Sequence, residues 1–141
     1  MADSEIKAHV FKPKSWEPIV EYQDTHLIYR MPVANGHFDK TFKFEISQQH
    51  FQVLKDDVER RYFLYALLHA RYQPRAMTND VLYDRHFDVI LLGAKRDVER
   101  LLDLQDTQSN RAISNLVTMF LEHDQKKMIA GHWFLDPSDP I

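Results

Sequence analysis

"PIVEYQDTHLIYRMPVANGHFDKTFKFEI", residues 18–46, decides the fold. Its apolar residues alternate with polar ones, the period-2 signature of strands with one buried face. Asp24-Thr25 is a candidate two-residue turn, which pairs Tyr22 with Leu27 and Val20 with Tyr29. Both pairs fall on one face, as pleating demands. The next turn offers a choice. Asn35-Gly36 is the familiar type I′ signal, but it puts the missing N–H of Pro32 where it should bond the following strand. A turn at Gly36-His37 frees Pro32 and pairs Met31 with Phe42, Tyr29 with Phe44 and Leu27 with Ile46. The second register is preferred on both counts. Phe42, Phe44 and Ile46 then face the core; Thr41, Lys43 and Glu45 face out. "IKAHVF" upstream also alternates and is expected to add a fourth strand.

Beyond the meander the period changes to 3.6. Ser47 is placed to cap a helix. From there Phe51, Leu54, Val58, Tyr62, Tyr65, His69 and Tyr72 share one arc. That continuity predicts one helix of about six turns, ended by Pro74. Its middle is apolar on other sides too, through Phe63, Leu64 and Leu67, so it should lie between layers. A second helix is expected from a Thr78 cap, with Leu82, Tyr83, His86, Val89 and Ile90 on one face, up to Gly93. A rival reading makes "FDVILL" a buried strand. Past Gly93 the apolar face (Ala94, Val98, Leu101, Leu102) is rotated, so the helix should break there. Ser109 is expected to cap the last helix, carrying Ile113, Leu116, Val117, Phe120 and Leu121. Gly131 suits its left-handed end. "HWFL" should return to the body, since exposing Trp133, Phe134 and Leu135 together would leave an apolar patch.

The expected fold is therefore α+β: an N-terminal antiparallel meander of three to four strands packed on about four C-terminal helices. One domain over 1–141 suits the length, with flexible ends at about 1–5 and 136–141.

Composition narrows the chemistry. Hydrophobic residues make up 44% of the 141, a folding composition rather than a disordered one. Lys+Arg number 18 against 21 Asp+Glu, a net charge of −3, which argues against general nucleic-acid binding. There is no cysteine, so disulfides, thiol catalysis and zinc–thiolate sites are out. The polar opening "MADSEIK" lacks a secretory apolar core, and runs such as "VILLGA" are too short to span a bilayer. A soluble, cytoplasmic protein is expected. Three glycines, spread far apart, make no phosphate-binding loop. None of the eight histidines has a partner at the H-E-x-x-H spacing, and neither a metal nor a cofactor is expected.

Two candidate sites remain. Asp80, Asp84 and Asp88, at i, i+4 and i+8, would form an acidic helix edge. It is either a solvated face or a ridge that docks into a basic cleft. Tyr65, His69 and Tyr72, continuing from Tyr62, form either a ligand pocket around a titratable imidazole or a core seam with satisfied hydroxyls. The seam accounts better for the apolar residues in phase with them. His86, mid-face, reads as a satisfied core histidine.

Three function classes follow. The first and preferred is a non-enzymatic protein-binding inhibitor. Its composition has the general look of small, cysteine-free, mildly acidic bacterial proteins that neutralise toxins, the immunity proteins. Its partner would be a protein with a basic cleft, such as a nuclease; no nucleic acid or membrane is expected to bind directly. The second is a subunit of a larger assembly. The third is a small ligand-binding domain or enzyme centred on His69.

Overall fold

The computed structural model describes residues 7–13, 16–23, 26–35, 38–73, 81–82 and 84–136. Four antiparallel strands come first: β1 (Lys7–Val10), β2 (Ile19–Gln23), β3 (His26–Asn35) and β4 (Phe38–Ile46). Helices α1 (Gln48–Asp56) and α2 (Val58–Tyr72) follow, then a short β5 (Val81–Leu82). The chain continues through α3 (His86–Leu92), α4 (Lys95–Gln108), α5 (Ala112–Leu121) and α6 (Gln125–Ile129). The fold is α+β, with an N-terminal meander and C-terminal helices.

Both hairpin registers match the sequence expectation. Tyr22 pairs with Leu27 and Val20 with Tyr29. Leu27 pairs with Ile46, Tyr29 with Phe44 and Met31 with Phe42. The loop between the paired Asn35 and Phe38 is Gly36-His37, which itself lies outside the described residues. By ladder parity, Pro32 then turns its missing N–H away from β4. The β2 ladder has already ended at Arg30, so the lost donor disrupts no pairing there. β1 supplies the expected fourth strand, pairing with β2.

One sheet face is buried by Val20, Leu27, Tyr29, Met31, Val33, Phe42, Phe44 and Ile46. The other is solvated and carries cross-strand pairs, Arg30–Glu21 at 2.7 Å and His26–Glu45 at 2.9 Å. α2 lies in the middle of the molecule, and its residues from Tyr62 to Leu68 are all buried. Tyr72 packs on Phe42 and Phe44 of the sheet. Tyr62 stacks on Phe120 of α5, and Phe63 meets Trp133 and Phe134 from the C-terminal segment.

Several expectations need correction. The single six-turn helix is two helices, interrupted at Asp57 (φ −121°, ψ 97°). Asp57 ends α1 through its N–H to Val53 O, and starts α2 by accepting Arg60 N–H on its carboxylate. An aspartate that can satisfy free helix donors competes with helix continuation. The apolar phase also fails there, since Val58 is 46% exposed. The expected helix up to Gly93 is only α3; Val81–Leu82 instead pairs in parallel with β4, Lys43 to Val81 and Phe44 to Leu82. The exposed backbone of the β4 edge outweighs local helical periodicity. Thr78 and Tyr83 fall outside the described residues.

Residues 87–92 are helical, so the rival strand reading of "FDVILL" also fails. The break at Gly93 is real: a Cβ there would sit 2.6 Å from Val89 O. Ser109 does not cap α5; it is the C-cap of α4. The acceptor at the start of α5 is the fully buried Asp106, whose Oδ1 takes the Ser114 N–H at 2.7 Å. Gly131 has the expected positive φ (98°), but it closes α6 rather than a long last helix. His132 N–H to Lys127 O and Gly131 N–H to Met128 O complete a Schellman motif. With these breaks the described residues hold six helices instead of about four. Ends 1–5 and 137–141 lie outside the described residues.

Candidate functional site at the start of α3

The chain leaves β5 and enters α3 through Asp84, which is buried against the C-terminal turn of α2. One carboxylate oxygen accepts both the His86 N–H (2.8 Å) and His86 Nδ1 (2.6 Å). The other accepts the Tyr72 hydroxyl at 2.9 Å, with Arg71 Nε at 3.4 Å. A carboxylate accepts only, so His86 Nδ1 carries the proton. Burial pushes the Asp84 carboxyl up, but the hydrogen bonds from His86 and Tyr72, with the His86 charge, outweigh it and hold Asp84 well below the usual carboxylate range. Burial, then the bond to Asp84, raises the Tyr72 hydroxyl, which stays protonated.

One turn further, Asp88 Oδ1 accepts from His50 Nε2 at 2.7 Å. His50 Nδ1 in turn accepts the Ser47 N–H, while Ser47 Oγ accepts the His50 N–H. This capping box fixes the imidazole tautomer and ties the start of α1 to α3. The Asp88 side chain remains 52% exposed.

The expected acidic ridge is therefore not formed by Asp84 and Asp88. Asp84 precedes the helix and points inward, so the i, i+4 geometry assumed for it does not apply. Of the two that are described, Asp88 presents an exposed carboxylate; Asp80 lies outside the described residues. The tyrosine–histidine group is likewise divided. Tyr65 meets His69 edge-on at 5.8 Å, but Tyr72 turns to the sheet and to Asp84. Each expected site thus contributes one member to the observed cluster: Tyr72 and Asp84 meet through a tertiary contact that spacing does not encode.

His69 is half-buried, and burial lowers its pKa, so its neutral form dominates at pH 7. It lines a surface depression of about 170 Å³ with Ala66, Ala70, Gln73, Ala112, Asn115 and Leu116. Pockets that take drug-sized ligands are larger, roughly 300–1,000 Å³.

Other carboxylates hold the C-terminal segment, and sequence reading passed over them. Glu99 Oε2 accepts Trp133 N–H (2.7 Å) and Phe134 N–H (3.3 Å). Asp103 Oδ1 accepts the Trp133 indole N–H at 2.8 Å. Glu59 Oε2 accepts Leu135 N–H and contacts His123 Nε2, both at 2.9 Å. A signal was present: Glu99 and Asp103 share an α4 face, and a buried indole N–H needs an acceptor.

Chemically, a buried carboxylate on Nδ1 with the other ring nitrogen free is the arrangement that lets an imidazole take up a proton. His86 Nε2 makes no hydrogen bond among the described residues, so no side chain there stands as a nucleophile on it. Those residues also include no group of three or more acidic or histidine side chains able to hold a metal ion. None of their helices is long and apolar enough to cross a membrane. No family model, curated protein or solved structure matches this chain.

Proposed function

We propose that the chain is a non-enzymatic protein-binding module, an inhibitor of the immunity-protein kind, whose partner presents a basic surface to the α3 side of the molecule. The observation that carries this reading is Asp88, an exposed carboxylate held in one orientation by a buried imidazole. A charge already fixed in place loses little freedom when a partner arrives. Supporting it, the buried acids and histidines are spent on holding elements together: Asp84 on α2 and α3, Asp106 on α5, and His123 with Glu59 on the C-terminal segment.

The test starts from the partner recovered on the immobilised chain from its native source. Association of the purified partner is then timed with wild type, Asp88→Asn and Asp88→Lys. Asparagine keeps an acceptor for His50 while removing the charge. Association is expected to slow by roughly three- to tenfold for lysine, less for asparagine, with a weaker salt dependence in both. Equal rates for all three would remove Asp88 from the interface. Recovery of no basic protein would remove the reading itself.

A further inference from the structure

One buried histidine sits between the end of α5 and the start of α6. The His123 side chain is only 5% exposed, and both of its ring nitrogens face oxygen. Nδ1 lies 3.1 Å from the Leu121 carbonyl, and Nε2 lies 2.9 Å from Glu59 Oε2. A backbone carbonyl accepts only, and so does an ionised carboxylate. A neutral imidazole has a single N–H, so it would turn a bare nitrogen toward one of these oxygens. Turning the ring over brings no relief, because it sets carbon against both acceptors.

The helix ends favour charge on both partners. Glu59 belongs to the first turn of α2, where free N–H groups stabilise a carboxylate. Its side chain is 25% exposed, which lowers the cost of ionising it. Leu121 is the last residue of α5, where carbonyls without intrahelical partners stabilise a cation. Phe63 of α2 meets the ring edge-on and brings no charge. Asp124, Lys127 and His132 line a depression with His123, and Glu122 is the C-cap of α5. From α2 and α4, Arg60 and Lys95 lie over the Phe134 ring, and Glu99 is taken by the Trp133 and Phe134 N–H groups. Among the described residues, His123 is thus the one ion-pair partner of Glu59.

We propose that His123 carries a proton on both ring nitrogens in the folded protein, and that this buried imidazolium is a pH-operated clasp for the C-terminal segment. The Glu59 oxygen that accepts from Nε2 also accepts the Leu135 N–H at 2.9 Å. While the ring holds both protons, one ion pair fixes that carboxylate between α5 and the backbone of Leu135. When rising pH takes one proton away, a bare nitrogen is left against an acceptor. Either the Leu121 or the Glu59 contact must then open, and the ring shifts in its seat in both cases. Leu135, whose side chain is out in solvent, loses the fixed acceptor on its N–H.

Nitrogen NMR of the His123 ring in the full chain reads the protonation state directly. At about pH 6, two ring N–H signals are expected, both nitrogens having the shifts of an imidazolium. One N–H beside a bare ring nitrogen overturns the proposal, and this includes a neutral ring that accepts a proton from Glu59. The clasp is read on the Leu135 amide between about pH 6 and 9. Its signal is expected to move with the same midpoint as the His123 ring. It should do so in wild type and in His132→Gln, which removes the other histidine of the depression, and should stop following the ring in Glu59→Gln. A Leu135 signal that stays fixed while the ring titrates overturns the clasp. So does one that stops moving in His132→Gln, or a ring that keeps both protons throughout.

Discussion

Replacing Asp84 by alanine is expected to cost about 3–5 kcal/mol of folding stability, read as a lowered urea midpoint. The carboxylate is buried, and three residues on two helices depend on it: Tyr72 and Arg71 of α2, and His86 of α3 through both its backbone and its ring. Removing it leaves those donors facing a void, and an orphaned buried donor loses its full hydration. Asp84→Asn keeps one acceptor oxygen but turns an NH₂ toward donors, so an intermediate loss of about 1–3 kcal/mol is expected. A loss below about 1 kcal/mol for alanine would mean the cluster is effectively solvated.

The pH dependence follows from the direction of the shift. The folded-state Asp84 carboxyl is held below its ordinary value of 3.8. Its contribution is therefore complete above that value and is lost as pH falls toward the lower folded-state value. His69 acts in the same direction but earlier. Burial lowers its pKa from 6.5, so the unfolded chain takes up that proton first, and stability begins to decline once pH drops below 6.5. Acid unfolding of wild type should thus show a shallow early loss and a steeper late one. Burial, then Lys55 and Arg61, lowers His9 in the same direction, so His69→Ala should reduce the first loss without abolishing it, and Asp84→Asn should blunt the second.

Replacing Trp133 by alanine is expected to cost about 3–5 kcal/mol. Trp133 is 1% exposed, packs edge-on to Phe63 of α2, and gives its indole N–H to Asp103. Its loss opens a cavity against the central helix and weakens the seat of Phe134, which also packs on Phe63. Trp133→Phe keeps most of the ring contact. Asp103 is only half-buried and can rehydrate, so the phenylalanine variant should lose only about 1 kcal/mol. The two tryptophans make the measurement clean. Trp16 is 60% exposed, so in a Trp16→Phe background the fluorescence reports Trp133 alone. An equal loss for both variants would place the stability in the indole N–H rather than in packing.

The strand half of the fold was legible because its constraints are local. Pro32 disfavoured one turn, and period-2 alternation then fixed every pair between β3 and β4. The helical half was legible in composition and less so in its boundaries. A 3.6-residue phase tolerates one non-helical residue without visible offset, so Asp57 passed as part of a rod. β5 was illegible for another reason: two residues carry no periodicity, and their state depends on an edge strand far away in sequence. The candidate site failed on the same ground. Treating Asp84 as helical placed it on a solvent edge; its partner Tyr72 is set by the packing of α2 on the sheet, and its bonds to His86 arise because it precedes α3 rather than lying in it. Capping by Asp106 was missed because its target, Ser114, belongs to the next helix.

The parallel seam between β4 and β5 has a consequence for assembly. Antiparallel neighbours such as Leu27 and Ile46 are joined by a short loop, whereas Phe44 reaches Leu82 only across α1 and α2. Hairpins zip in roughly 1–10 μs, but pairing over a long intervening chain waits for the helices to dock. β4 therefore spends the early part of folding as a bare rim, open to any other chain that arrives first. Refolding yield should drop as chain concentration rises, and a yield independent of concentration would show that the rim is covered before strangers can meet it.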